Sequence, residues 1–403
     1  MRTISPSVPV PHADPVPRRS RLSRLLWIGI GIGASVALTV GFGSLIISAG
    51  TGGNGGGGPL VGLPTRTVTI ATPVASLSVE SYGANITVTS KPVSQVTVEE
   101  SISYDPTQGG PPAVTDTDTH GLLTLAAPAC ANANCMVGFN VTVPSGVTVN
   151  AEGDGGSVTV SGTGAADVDS GGGPVIATGL SGPLNATAEG GNVWASGATA
   201  ASIDSGGGPV TVGRIPGSVT VHTEGGGISV TSAGATDLDS GGGPVMATAI
   251  SGPLFVTAEG GGVTVTSAPA ANIDSGGGPV TATRIKGPLT VSAEGGGVDV
   301  DGVTGTLNVN TGGGPLNAIG VTSAAVTADT ENGGVTLDFA AVPTSLMVTT
   351  GGGDAVLSVP NAAYALTFDL AGGPESVAIA NSPGAANTIN VNTDGGGLQI
   401  GPA

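Results

Sequence analysis

The feature that most constrains this chain is a 35-residue repeat in which two glycine-rich motifs alternate. The motif Asp-Ser-Gly-Gly-Gly-Pro-Val begins at Asp169, Asp204, Asp239 and Asp274. A second motif, Glu-Gly-Gly-(Gly/Asn)-(Val/Ile), lies between the copies of the first and begins at Glu189, Glu224, Glu259 and Glu294. Less regular versions extend the array outwards to residues 152 and 394. Atypical end repeats are expected of a stacked architecture, since its ends must meet water.

Between the glycines the repeat alternates apolar and polar residues, which is the pattern of a half-buried strand. Leu289, Val291 and Ala293 share one face of such a segment, and Thr290, Ser292 and Glu294 share the other. A strand this short cannot stand alone, so neighbouring copies must stack to bury a common core. We therefore predict an all-β fold, a β-solenoid whose corners are the glycine clusters. Two turns per repeat would give about 14 turns, a stack about 65–70 Å long, and one turn per repeat half that length.

Composition agrees with a thin, repetitive core. The chain has 403 residues, of which 73 are Gly and 29 Pro, but only 10 are Phe, Trp or Tyr. That much Gly and Pro can also indicate disorder, or collagen if glycine recurs at every third position. The apolar alternation argues against disorder, and the glycine spacing argues against collagen.

Charge and hydropathy divide the chain along its length. Residues 25–49 contain no charged side chain and are long enough to cross a bilayer as a helix, at about 1.5 Å per residue. Five arginines precede this segment, so the positive-inside rule places residues 1–24 in the cytoplasm as a disordered tail, and the larger part outside. Residues 50–64 are a Gly-rich linker. We predict a single-pass signal anchor in a plasma membrane; a cleaved signal peptide is the alternative.

The exported part is strongly acidic. The whole chain has a formal net charge of −18, although its N-terminal tail is basic. Such a surface repels nucleic acid and attracts cations or basic partners, which excludes a nucleic-acid-binding function.

Residues 65–150 are β-rich without visible repetition and hold the only two cysteines, Cys130 and Cys135. Residues 151–403 form the repeat array. On the extracytoplasmic side of a membrane, a short-loop disulfide is the expected state of this pair. A metal site would lack further ligands, and a redox pair usually has two intervening residues, not four.

The cysteine pair, the strand that follows it, Val-Pro-Ser-Gly-Val at 143–147 and the Gly-Gly-Val-x-Val units resemble the bacterial "putative adhesin" family of β-strand-repeat proteins. This is a domain family of unknown function whose actinobacterial members often carry an N-terminal membrane span. The resemblance covers residues 65–400 and implies a cell-surface β-solenoid without catalytic residues. The regular Asp-Ser-Gly-Gly-Gly-Pro-Val units depart from the family pattern.

The acidic residues of the two motifs are the candidate metal ligands. In the predicted register they point outwards, and stacking would align them along one or two edges about 5 Å apart, with a repulsion of about 0.8 kcal/mol per neighbour. Calcium would relieve that repulsion, because carboxylate and backbone oxygens are its natural ligands. The alternative is a row of solvated charges that keeps the solenoid soluble. We predict no other cofactor. The candidate calcium ligands are Asp169, Asp204, Asp239, Asp274, Glu189, Glu224, Glu259 and Glu294.

No motif for catalysis is present in the sequence, and we predict that the chain is not an enzyme. A calcium-dependent polysaccharide lyase is the enzymatic alternative, with Arg214 and Arg284, two repeats apart, as its basic residues. A simpler interpretation makes both arginines neutralising partners of the acids or plain surface charges. The predicted function is a structural or adhesin-like interaction module for a cell-wall polymer, a cation or a protein. A calcium-stabilised envelope scaffold is the second hypothesis.

Overall fold

The computed structural model describes residues 59–127 and 135–403 as an all-β, parallel β-solenoid of about 12 turns. This confirms the fold class predicted from the repeat. The predicted membrane segment, residues 25–49, and its flanks up to residue 58 lie outside the described residues. Within the residues described, no helix is long and apolar enough to cross a membrane.

The N-terminal end of the solenoid is built from seven strands. They are β1 (Val61–Gly62), β2 (Arg66–Ile70), β3 (Ser76–Ser90), β4 (Val96–Tyr104), β5 (Thr115–Thr119), β6 (Leu122–Ala126) and β7 (Cys135–Val143).

The next twelve turns follow the chain in order, and each contributes one strand to each of two parallel sheets. Sheet 1 holds the first strand of every turn: β8 (Thr148–Asp154), β10 (Ala166–Ser170), β12 (Leu184–Ala188), β14 (Ala201–Ser205), β16 (Val219–Thr223), β18 (Thr236–Ser240), β20 (Leu254–Ala258), β22 (Ala271–Ser275), β24 (Leu289–Ala293), β26 (Leu307–Thr311), β28 (Ala325–Thr330) and β30 (Ser345–Thr350).

Sheet 2 holds the second strand of every turn. Its members are β9 (Val158–Ser161), β11 (Val175–Thr178), β13 (Val193–Ser196), β15 (Val210–Ile215), β17 (Ile228–Ala233), β19 (Val245–Thr248), β21 (Val263–Ala268), β23 (Val280–Ile285), β25 (Val298–Val303), β27 (Leu316–Val321), β29 (Val335–Phe339) and β31 (Ala355–Val359). The C-terminal end adds β32 (Tyr364–Asp369), β33 (Glu375–Val377), β34 (Asn387–Thr393) and β35 (Leu398–Pro402).

The register shows that one 35-residue repeat makes two turns. Ala166 pairs with Leu184, and Leu184 pairs with Ala201, so turns of 18 and 17 residues alternate. Equivalent strands of successive turns therefore come alternately from the first and the second half of the repeat. The two-turn alternative left open by the sequence is the correct one.

The core is the narrow space between the two sheets, and it is filled by small aliphatic side chains. Leu289, Val291 and Ala293 of β24 are each at most 1% exposed, as their alternation predicts. The large aromatic residues that are buried, Phe139, Phe339 and Tyr364, lie towards the ends of the stack. Val, Leu and Ala suffice elsewhere because successive turns bury each other.

The corner between sheet 1 and sheet 2, which we call the glycine corner, explains the repeated Ser-Gly-Gly-Gly. The buried hydroxyl of Ser205 donates a hydrogen bond to the carbonyl oxygen of Gly208, at 3.0 Å. Ser170, Ser240 and Ser275 make the same bond in their own turns. The third glycine is required by contact, since a Cβ on Gly208 would lie 2.1 Å from the carbonyl oxygen of Gly191 in the preceding turn.

The corner from sheet 2 back to sheet 1, the return corner, holds one residue per turn in the left-handed conformation. Glycine occupies this position at both ends of the array, as at Gly179 and Gly302. Five consecutive turns between them use other residues, Arg214, Ser232, Ala249, Ser267 and Arg284, with φ between 55° and 64°. A side chain in this conformation costs about 1–2 kcal/mol relative to the right-handed region.

At the N-terminal end the order in space departs from the order in the chain. β3 crosses both sheets and lies between the β6–β7 turn and the β8–β9 turn. β3 is a single strand of 15 residues. β5 pairs antiparallel with β6. The boundary predicted at residue 150 falls inside β8.

The outermost strands are joined by a charged network. Arg66 of β2 donates to Glu100 of β4 and to Asp116 of β5, each at 3.1 Å. Glu100 is buried, and that burial raises the pKa of its carboxyl, against the lowering effect of Arg66. Cys135 is also buried here, at the start of β7. Cys130 lies outside the described residues, so the disulfide stays a prediction.

The C-terminal end repeats the device of an inserted turn. The β34–β35 turn lies between the β30–β31 turn and the outermost β32–β33 turn. Leu366, Phe368 and Ile379 of the last segment pack on the core as partly buried side chains. The segment after β33 covers the outer edge of β32, where Asn381 accepts a hydrogen bond from the Leu366 amide at 3.1 Å. These residues cap the stack.

Candidate functional site

The acids of the two motifs form two columns at one edge of the solenoid. Asp169, Asp204, Asp239 and Asp274 occupy the last outward position of sheet 1 in alternate turns. Glu189, Glu224, Glu259 and Glu294 lie just beyond sheet 1, at the glycine corner, in the turns between. All of these side chains are exposed or half-buried, as predicted.

The spacing within each column differs from the prediction. Thr187 separates Asp169 from Asp204 in the register, and His222 separates Asp204 from Asp239. Neighbouring acids of a column are therefore two turns apart, about 9.6 Å rather than about 5 Å. Coulomb repulsion between them falls to about 0.4 kcal/mol in water. The expected distance was wrong because the two-turn repeat places a neutral residue or a histidine between each pair of acids.

One acid of the column lies within hydrogen-bonding distance of a histidine. The Nδ1 atom of His222 lies 2.9 Å from Oδ2 of Asp239, with both side chains about half exposed. Asp237 lies two residues before Asp239 on the same outward face, and burial, followed by the charge of Asp239, raises its pKa.

The columns do not converge on a point. Within the described ranges, no three His, Cys, Asp or Glu side chains come close enough together to hold a metal ion. The eight candidate calcium ligands are brought to one edge, but they lie along it rather than around a centre.

Arg214 and Arg284 stand at the return corner, across sheet 2 from the acid columns. They occupy the same left-handed position four turns apart. Neither forms a salt bridge with an acid in the part of the chain that the structure describes. The interpretation of both arginines as neutralising partners of the acids is therefore wrong for their side chains as placed here, and they remain surface charges.

Charge is thus segregated across the solenoid. We call sheet 1 from β8 to β24, with the glycine corners that follow these strands, the acidic side. It holds every acidic residue between 148 and 297: Glu152, Asp154, Asp167, Asp169, Glu189, Asp204, Glu224, Asp237, Asp239, Glu259, Asp274 and Glu294.

The acid-free side consists of sheet 2 from β9 to β23 and the return corners that follow these strands. It contains no Asp or Glu, and it holds all three bases of the same stretch, Arg214, Arg284 and Lys286. A polymer or protein that approaches the solenoid therefore meets two different surfaces. One repels anions, and the other is uncharged apart from a few cations at its corner.

The acid-free side exposes apolar and hydroxyl groups together. Trp194 is 59% exposed and is paired in the register with Ile176, 38% exposed, and with Thr211. The alternation of Val193, Trp194 and Ala195 indicates that the Trp194 side chain points outwards, but its neighbours come from other turns and could be found only with the register.

No family model matches the chain, and no curated protein matches it. Among solved structures, a "putative adhesin" from Parabacteroides merdae ATCC 43184 is similar over 68% of this chain and 95% of its own, with 11% identity and a TM-score of 0.24. A "putative cell adhesion protein" from Clostridium sporogenes ATCC 15579 is similar over 84% of this chain and 100% of its own, with 10% identity and a TM-score of 0.17. Both TM-scores are low.

Proposed function

We propose that the chain is a non-catalytic, membrane-anchored, cell-surface β-solenoid that serves as a structural or adhesin-like interaction module. The observation that carries the proposal is the continuous stack of about 12 turns with two long, chemically different sides. Repeat architectures of this kind offer extended binding surfaces rather than a single pocket. The anchor rests on residues 25–49, whose apolar length and arginine-rich flank are the pattern of a signal anchor.

Location and binding can be tested separately. Protease added to intact bacterial cells that express the full chain should remove residues beyond the linker and leave the N-terminal tail protected. Purified full chain in detergent should co-sediment with isolated cell envelopes. A chain that is protected from protease in intact cells, or that stays in the supernatant with every envelope fraction, would contradict the proposal.

The calcium-stabilised scaffold is the second candidate, favoured by the gathering of the Asp and Glu columns on one edge. If the columns bind calcium, unfolding of the full chain should shift to higher temperature with calcium than with a chelator. A single site saturated to 100 times its dissociation constant adds about 2.7 kcal/mol. Asp204→Asn combined with Asp274→Asn should reduce the shift, whereas Asp338→Asn, an exposed acid on sheet 2, should not. An unchanged transition temperature would leave the acids as solvated charges.

A further inference from the structure

We propose that the acid-free side is a binding surface for an uncharged polysaccharide chain, with Trp194 of β13 as its stacking platform. The inference rests on the proposed function, since it names the partner class and the side of the solenoid that the interaction module uses. It differs from the expectation raised by composition, which would assign binding to the acidic surface.

Hydroxyl groups form a row on the acid-free side. In β21 and β23 both outward positions are threonine, Thr264 and Thr266, then Thr281 and Thr283. The hydroxyls of Thr266 and Thr283 in adjacent turns are 3.4 Å apart. Each hydroxyl is both a donor and an acceptor, as are the hydroxyls of a sugar. The turns repeat every 4.8 Å or so, which makes a regular row along the solenoid axis.

An apolar patch lies in the same row of outward side chains as Thr264 and Thr281. The Trp194 ring stands beside the Ile176 side chain on one flank and Thr211 on the other. An exposed indole presents a flat apolar face together with one N–H donor. A sugar ring likewise has apolar C–H faces and a polar rim, so it matches a surface that combines tryptophan, isoleucine and threonine.

Between β9 and β23 a bound chain would lie on a surface without Asp or Glu. Asp299 and Asp301 of β25 follow one turn beyond Thr281 and Thr283 and mark the end of this surface. The carboxylates of sheet 1 itself lie across the core, about one sheet spacing of 10 Å away. At physiological ionic strength the Debye length is about 8 Å, so their field is largely screened there. An uncharged polymer therefore binds this surface without an electrostatic penalty. The cations at the return corner are too few to favour a polyanion against the acidity of the whole chain.

A second copy of the chain fits less well. The exposed sheet from β9 to β23 spans eight strands and about four residues, which is about 500 Å² at ordinary strand spacings. A standard stable interface buries about 800 Å² on each partner. Two copies of a chain with a net charge of −18 also repel each other.

The test uses the full chain carrying Trp27→Phe, so that its tryptophan emission comes from Trp194, in a detergent without a sugar headgroup. The probe is chitohexaose, an uncharged β-1,4-linked hexasaccharide. We expect its addition to shift and change the Trp194 emission in a saturable way. Thr211→Val and Thr264→Val, measured by the same emission, should each weaken binding several-fold.

Binding by a Trp194→Ala variant is measured by calorimetry and should be at least tenfold weaker. The matched control is Phe255→Ala, because Phe255 is also an exposed aromatic residue, at 51% against 59% for Trp194, but lies on the acidic side. It should leave the affinity unchanged. Equal losses in both variants, or no loss in Trp194→Ala, would overturn the proposal.

Two further outcomes would also overturn it. Tighter binding of hexagalacturonate, lost in Arg214→Gln with Arg284→Gln, would identify an anionic partner. An emission change that depends on protein concentration without sugar would identify a second copy. If Trp194→Ala still co-sediments with envelopes as the parent chain does, this inference fails and the interaction module stands. If the parent chain does not co-sediment, the module itself fails.

Discussion

At the residue scale, the corners of this solenoid are specified by contacts that leave no room for a side chain. The glycines of one triplet are not equivalent. A Cβ on Gly208 would collide with the backbone of the preceding turn, whereas a Cβ on Gly207 would meet nothing within 4 Å. The collision is with a carbonyl group held in the ladder, so it cannot be relieved by a rotamer change.

Gly208→Ala should therefore destabilise the protein by about 1–3 kcal/mol or more, the usual cost of overpacking. Gly207→Ala is the control and should be neutral or stabilising, because alanine reduces the entropy of the unfolded chain by about 0.4–1 kcal/mol. Urea unfolding followed by circular dichroism measures both. Equal midpoints for the two variants would show that the third glycine is not required by contact.

At the left-handed positions of the return corner, a substitution by glycine should increase stability. Ala249→Gly should stabilise the fold by about 0.5–1 kcal/mol, since glycine adopts φ of 55° without strain. Ala235→Gly, an exposed return-corner position outside the left-handed region, should destabilise it by a similar amount. Thermal unfolding of both variants compares the two. A loss of stability in Ala249→Gly would contradict the strain argument.

At the element scale, the end strands decide whether the stack is closed. β2, β4 and β5 are joined through Arg66, Glu100 and Asp116, and β32 closes the opposite end around Tyr364. Both ends interrupt the repeat order with an inserted turn. Each end also buries a side chain of a kind that the middle of the core lacks, Glu100 at one end and Tyr364 at the other. Such atypical end turns keep a stack of similar turns from exposing an open strand edge.

The buried carboxyl of Glu100 should make stability depend on pH. Its pKa is raised above the ordinary glutamate value of 4.5, so the folded state binds the proton more tightly than the unfolded state does. The free energy of unfolding of the parent chain, relative to Glu100→Gln, should therefore increase as pH falls from above the raised pKa towards 4.5. Denaturant titrations at several pH values measure this difference. A difference that grows with rising pH would mean that the ion pair with Arg66 outweighs burial.

The C-terminal cap is testable through Tyr364, which is fully buried and donates from its hydroxyl to the carbonyl oxygen of Pro360 at 2.9 Å. Tyr364→Ala should cost about 3–5 kcal/mol, the range for large aromatic residues in a core, and should open the last turn. The exposed edge should then pair with other copies. Light scattering after size exclusion should show self-association for this variant and not for Thr367→Ala, an exposed substitution in the same strand. A monomeric Tyr364→Ala variant would show that the cap does not protect the edge.

At the scale of the whole molecule, the alternation of two half-repeats produces two sides with different chemistry. Each half-repeat places its acid on sheet 1 or at the glycine corner, and none places one on sheet 2 between β9 and β23. Between residues 148 and 297 the acidic charge therefore lies on one side only. The other side is where the proposed interaction with a polysaccharide belongs.

The sequence by itself determined the fold class, the corners and the inward residues. Period-2 alternation and glycine spacing are local properties, and Leu289, Val291 and Ala293 lie inside as their pattern predicts. What only the tertiary structure decided was which turns are neighbours. The 17- and 18-residue turns put His222 between two acids and Ile176 beside Trp194, and the inserted β3 and β34–β35 turns break the chain order. Contacts between turns depend on register and on the order of strands in space, which hydrogen bonding across the whole stack sets and a local pattern does not contain.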